Sequence, residues 1–364
     1  MPNHQNHKDD MSLVLERPAV APLPPKNPPS FTQRYHNLAS PVMGAMVLYA
    51  SDEFFAAASR MIQDHEPLFF PDKYDDHGKW MDGWETRRRR HGGHDTAMVK
   101  LGARGIIHGL GIHTNFFTGN FAPAVMVEAG IIDDQKKITT KHLESITWQP
   151  LLDKTDLKSD NYHFFPISHL EEFNILRLSI FPDGGIARFR VYGEPKCDWQ
   201  AKRHHKDIEL SALKYGGRII GYNDAHYGNV SSLLAERRAI NMGDGWETRR
   251  QRNLPNHDWL ILALAHHGAI DKAMVDTAHY KGNYPDSCSL EGVMLTNDIN
   301  DEELLKNNQI DWQILLPPQK LKPDHIHIFE NNILQSIGAI SHVRLNIFPD
   351  GGISRLRLYG CLPD

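Results

Sequence analysis

The chain has 364 residues, with 40 Lys and Arg against 45 Asp and Glu for a formal net charge of −5, and three cysteines. That length fits two or three domains of about 100–200 residues each, and the mildly acidic balance gives no global reason to expect nucleic acid or an anionic membrane as a partner. No apolar run approaches the roughly 20 residues of a membrane helix, no cationic-then-apolar leader opens the chain, and Cys197, Cys288 and Cys361 form no closely spaced pair or disulfide framework, so a soluble, cytoplasmic protein in a reducing compartment is expected.

In chain order, residues 1–30 carry Pro18, Pro22, Pro24, Pro25, Pro28 and Pro29, which favours an extended arm over a packed element. A first domain copy is expected over 31–193, a polar linker over 194–214 and a second copy over 215–364. The duplication is visible as ordered repetition. Asp82-Gly83-Trp84-Glu85-Thr86-Arg87-Arg88 returns as Asp244-Gly245-Trp246-Glu247-Thr248-Arg249-Arg250, Gly119-Asn120 as Gly282-Asn283, and Trp148-Gln149 as Trp312-Gln313. Phe181-Pro182-Asp183-Gly184-Gly185-Ile186 returns as Phe348-Pro349-Asp350-Gly351-Gly352-Ile353. Solenoid units run roughly 20–50 residues, so a repeat this long is a whole domain.

Helical signals are brief, over Glu53 to Met61 and Asp301 to Asn307. The remaining pattern is β. Leu176, Leu178 and Ile180 alternate with Arg177 and Ser179, the period of a half-buried strand. Asp183-Gly184 then supplies a tight hairpin turn, and the return strand puts Ala187, Phe189 and Val191 inward and Arg188 and Arg190 outward. The second copy repeats this with Leu345 and Ile347, the Asp350-Gly351 turn, Leu356 and Leu358 inward, and Arg355 and Arg357 outward. The fold class expected is all-β: two tandem antiparallel jelly-roll sandwiches.

Three clusters carry chemistry. In the Trp-Glu-Thr-Arg-Arg motif, Arg87, Arg88, Arg249 and Arg250 can grip a carboxylate, and Glu85 and Glu247 can orient that grip or act as bases. The blander reading is a Glu–Arg ion pair on a solvated sheet face. His257, beside Asp258 at a strand start, suits proton transfer or a turn cap. At a later strand end, Asp276, Thr277, His279 and Asn283 stand together, matched in the first copy by His113, Thr114, Phe116 and Asn120. Thr and Asn there suit amide-type groups. His163, His325 and His327 lack the companions of a metal site, and neither a nucleophile elbow nor a phosphate loop is present.

The doubled motif set, with Gly93-His94-Asp95, Phe117-Thr118-Gly119-Asn120, His257-Asp258-Trp259 and Asp276-Thr277-Ala278-His279-Tyr280-Lys281-Gly282-Asn283, resembles the allantoicase family from about Phe31 to Gly360. The resemblance implies galactose-binding-like jelly rolls and a hydrolase that converts allantoate to ureidoglycolate and urea in allantoin degradation. It implies a homo-oligomer, hexamers being known, with no certain cofactor and room for a divalent metal. Allantoate would then engage Arg87, Arg88, Arg249 and Arg250 through its carboxylate, and Thr114, Asn120, Thr277, His279 and Asn283 through its ureido groups. Glu85, Glu247, His257 and Asp276 are the candidate acids and bases. A non-catalytic galactose-binding-like module and an inactive family member are the alternatives.

Overall fold

The structure, a computed structural model, describes residues 17–133, 137–252, 255–295, 301–307, 309–330 and 332–363. Each half is an antiparallel sandwich organised around one long strand that serves both sheets. In the first half this strand is Asp95–His113. Its early part pairs with Met46–Ala50 and Glu172–Phe181, and its late part with Phe164–Pro166 and Arg188–Pro195. Glu172–Phe181 passes the first sheet on to Ala124–Gly130 and then Gln149–Asp156. The second half repeats the arrangement around Asp258–Asp276, with Arg218–Tyr222, Ala339–Phe348, Ile326–Glu330 and Arg355–Cys361 as its neighbours. This is the expected all-β pair of jelly rolls.

Alternation drives the packing. Val99, Leu110, Ile112, Leu176, Leu178, Phe189 and Val191 are fully buried in the first half, as are Leu260, Leu262, Leu345, Ile347, Leu356 and Leu358 in the second. Each such side chain contributes roughly 1.5–3 kcal/mol by leaving water. Residues 17–30 run along the first half, where Val20 pairs with Phe69 and Arg17 reaches Asp72 at 2.7 Å. Among the described residues no helix is long and apolar enough to cross a membrane.

Four expectations are corrected. Arg188 and Arg190 do not face solvent, and neither does Arg355. A layer of loops covers that face and offers carbonyl acceptors: Arg188 donates to His65 O (2.8 Å) and Asp82 O (2.7 Å) and pairs with the Asp82 carboxylate at 2.7 Å. Ser179 is buried too, beside Thr96 Oγ1 at 3.3 Å. The Asp-Gly turn closes no hairpin, because Glu172–Phe181 and Arg188–Pro195 lie on opposite sides of Asp95–His113. The chain crosses between sheets there, and Gly185–Ile186 pairs with Trp84–Glu85. Gly184 (φ +129°) and Gly351 (φ +136°) take the backbone shape that L side chains avoid. A Cβ on Gly185 or Gly352 would lie 2.0 Å from the Phe117 ring or 2.1 Å from the Tyr280 ring. Finally, the helix expected over Glu53 to Met61 is a single 3-10 turn, Ala58–Ile62. Glu53 Oε1 takes the Ala58 amide at 2.7 Å and holds the preceding chain out of helical shape.

Candidate functional site

The Trp-Glu-Thr-Arg-Arg motif is pinned by its tryptophan. Trp84 and Trp246 are fully buried, and their indole nitrogens donate to Asp52 O and Asp224 O, each at 2.8 Å. One residue on, the strand's alternation turns the glutamate the other way, into an open cavity. Thr86 Oγ1 accepts from Gly184 N and Thr248 Oγ1 from Gly351 N, both at 3.1 Å, which ties the motif to the Asp-Gly turn. Asp183 and Asp350 accept the backbone amides of Arg89 and Gln251 at 2.7 Å. Across the cavity floor, Asn120 Nδ2 donates to Glu85 Oε1 at 2.7 Å, and Asn283 Nδ2 donates to Glu247 Oε1. No arginine pairs with either glutamate, so the surface ion pair considered from sequence is absent among the described residues.

Each half thus carries a cavity at this motif, of about 790 Å³ in the first and 720 Å³ in the second. Burial pushes the Glu85 carboxyl above its ordinary value, and the Asn120 bond offsets part of that. The arginines differ. Arg87 is closed by Asp52, with Nε at 2.7 Å and Nη2 at 2.6 Å, and its guanidinium lies 5.2 Å from the Phe54 ring centre. Burial works against the charged form of Asp52, but the bonds from Arg87 and Phe54 outweigh it and hold the carboxyl below its usual range. In the second half Asp224 takes only the Arg249 backbone amide closely (2.7 Å), and its carboxylate stays 3.9 Å from Nε. Arg249 Nε instead donates to His226 Nδ1 at 2.9 Å. Its two terminal nitrogens are left without a hydrogen bond among the described residues. Since Nδ1 accepts, the neutral His226 ring carries its proton on Nε2.

His226 escaped the sequence reading, because its first-half counterpart is Phe54 and the preceding loops share little. The available signal was Asp52 and Asp224, which perform the same two tasks just ahead of those positions.

The structure brings Glu247, Arg249, Arg250 and Asn283 to one cavity and Glu85, Arg87, Arg88 and Asn120 to the other. It does not bring the remaining candidates there. His257 is exposed and stacks on Phe348 at 5.6 Å. Thr114 and Thr277 are fully buried, and their hydroxyls donate to Lys158 O (2.6 Å) and Lys322 O (2.7 Å) to close the loop after the long strand. Asp276, 1% exposed, accepts from Ala278 N at 2.9 Å and faces Arg238 Nε at 3.4 Å. His279 sits at φ 72°, with Nε2 2.9 Å from Ala239 O. Asp276, Thr277 and His279 shape the loop that delivers Asn283. Asp276→Asn keeps the acceptor that Ala278 needs, so turnover near that of the unaltered chain and a slightly lowered melting temperature are expected in a urea assay and a thermal melt. A collapse of kcat without unfolding would return Asp276 to the site.

Among the described residues no group of three or more His, Cys, Asp and Glu could hold a metal ion. His163 and His327 are closed on both ring nitrogens by backbone, through Lys158 N and Ile112 O and through Lys322 N and Val275 O. Of the carboxylates lining the two cavities, Asp183 and Asp350 accept backbone amides and Asp286 pairs with Lys320, which leaves Glu85 and Glu247 each alone among amide and guanidinium donors, a set that does not fit a resident divalent ion.

The allantoicase repeat model matches residues 36–196 and again 208–363. A probable allantoicase of Ralstonia nicotianae is 47% identical over 92% of this chain and 97% of its own. One from Acinetobacter baumannii is 47% identical over 89% of this chain and 93% of its own. The crystal structure of allantoicase from Saccharomyces cerevisiae superposes with a TM-score of 0.72 at 34% identity, covering 90% of this chain and 93% of that one. Two matched repeats, relatives alike along nearly their whole length and a shared doubled sandwich have one consequence: the chain belongs to the allantoicase family.

Proposed function

We propose that this protein hydrolyses allantoate to ureidoglycolate and urea in purine degradation, with the second-half cavity as its reaction site. The observation that carries this reading is Arg249, whose terminal nitrogens make no hydrogen bond among the described residues and which lines the same cavity as a glutamate fixed by Asn283. Allantoate bears a carboxylate and two ureido groups on one carbon. Arg249 and Arg250 grip the carboxylate, as a planar guanidinium does bidentately. Glu247 Oε2 makes no hydrogen bond among the described residues and takes the proton of the attacking water. The water oxygen bonds to the central carbon as the C–N bond breaks. The Glu247 carboxyl then returns a proton to the departing nitrogen, which leaves as urea. His226 Nε2–H donates to a ureido carbonyl and draws charge from the breaking bond.

The family resemblance carries with it a homo-oligomeric, cytoplasmic enzyme, and the free Cys197, Cys288 and Cys361 fit a reducing compartment. Purified protein given allantoate should release urea and ureidoglycolate in equal amounts. Arg249→Lys should raise KM more than it lowers kcat, because an ammonium cannot reproduce the bidentate grip. Binding of allantoate without urea release would instead mark a ligand-binding module.

A further inference from the structure

The first-half cavity keeps the floor of the reaction site and changes its walls. Glu85 is 9% exposed, its Oε1 held by Asn120 at 2.7 Å and its Oε2 without a hydrogen bond among the described residues. It therefore presents an acceptor to the N–H groups of a ureido ligand. The run Arg87-Arg88-Arg89-Arg90 lies at the mouth. Arg87 is closed by Asp52, and Arg89 by Asp95 at 2.6 Å. Arg88 and Arg90 are exposed cavity-lining residues with no partner among the described residues. Two closed arginines alternating with two open ones leave a cationic rim suited to a small carboxylate. Phe54, 42% exposed, and Phe121 add flat apolar wall against which a planar ureido group can lie.

Two features of the reaction site are missing. Phe54 stands where the second half has His226, so no histidine lines this cavity among the described residues. Arg87 is committed to Asp52, whereas Arg249 keeps its terminal nitrogens free. A cavity with the recognition groups and without these two binds and does not cut.

We propose that the first-half cavity is a second, non-hydrolysing binding site for a ureido carboxylate, so that each chain holds two such molecules and turns over one. This rests on the second-half cavity being the reaction site. Substrate and product share the chemistry required, since both allantoate and ureidoglycolate are ureido carboxylates.

Hydantoate, which has a carboxylate and a single ureido group and so lacks the second ureido nitrogen that stabilises the central carbon as urea departs, separates binding from turnover. Calorimetric titration of the full chain with hydantoate is expected to give two molecules per chain. Arg88→Ala/Arg90→Ala should halve that stoichiometry with an unchanged melting temperature, both side chains being exposed. Arg249→Ala should also halve it, leaving the first-half site. Allantoate or ureidoglycolate is then added to the Arg249→Ala chain, and whichever displaces hydantoate more strongly marks that cavity as a substrate or a product site. Fewer than two molecules per chain, two molecules that survive Arg88→Ala/Arg90→Ala, or displacement by neither compound overturns the proposal. Absence of urea release from allantoate by the unaltered chain is a separate failure, of the reaction assignment alone.

Discussion

Replacing Glu247 by Gln is expected to lower kcat by about 10²–10⁴-fold, the range a positioned proton acceptor contributes, while the melting temperature stays close to that of the unaltered chain. The fold should survive because the substituted amide keeps an oxygen at the position where Asn283 Nδ2 donates. Trp246 remains buried under its bond to Asp224 O, and Thr248 still takes the Gly351 amide. What disappears is the negative oxygen that accepts the proton of water. KM should change less than kcat, since in the proposed site Arg249 and Arg250, not Glu247, grip the carboxylate of allantoate. Urea release measured across substrate concentrations separates the two constants. A Glu247→Gln chain with near-normal kcat would remove Glu247 from the chemistry and leave it as a fixed acceptor for Asn283.

The largest effect on stability is expected at Arg188. Its guanidinium is fully buried, bonded to His65 O and Asp82 O and paired with the Asp82 carboxylate at 2.7 Å. Arg188→Leu removes the cation and leaves Asp82 buried with the Leu68 amide at 2.9 Å and a half-exposed His65 3.8 Å away. Breaking a buried pair from one side costs about 3–5 kcal/mol, because the remaining charge has lost its partner without regaining water. Arg355→Leu is the equivalent change in the second half, where Arg355 pairs with Asp244 at 3.0 Å. It should cost less, since Asp244 keeps an ion pair with Arg237. Denaturant unfolding of both variants, compared at midpoint and slope, measures the difference. Equal losses, or a loss under about 1 kcal/mol for Arg188→Leu, contradict a buried pair that organises the loop layer.

Much of the architecture was written locally. Alternating apolar positions from Leu176 to Ile180 and from Leu356 to Leu358 bury one side of a strand wherever that strand pairs, so the sandwich class follows from the pattern. The Asp-Gly-Gly turns were legible for the same reason, because their backbone shape depends on residue type. Half of the candidate site was legible too. Glu247, Arg249, Arg250 and Asn283 drew notice as residue types with chemistry, and the duplication marked them again in the first half.

The rest depended on which distant segments meet. Asn283 lies 36 residues from the glutamate it orients, and Arg188 lies 106 residues from Asp82. Alternation assigns a side chain to one of two faces but says nothing about whether a loop covers that face, so Arg188, Arg190 and Arg355 read as solvated when they are buried. Asp276, Thr277 and His279 read as a site because of their chemistry, yet tertiary hydrogen bonds commit them to the loop that carries Asn283. His226 became visible only once Asp224 had drawn its loop onto the motif and set the imidazole against Arg249. The sequence by itself determined the two sandwiches and the residues able to do chemistry, because periodicity and residue type act over a few neighbours. The tertiary structure alone decided which of those residues face a cavity, because a buried polar group must find its partner wherever the fold supplies one.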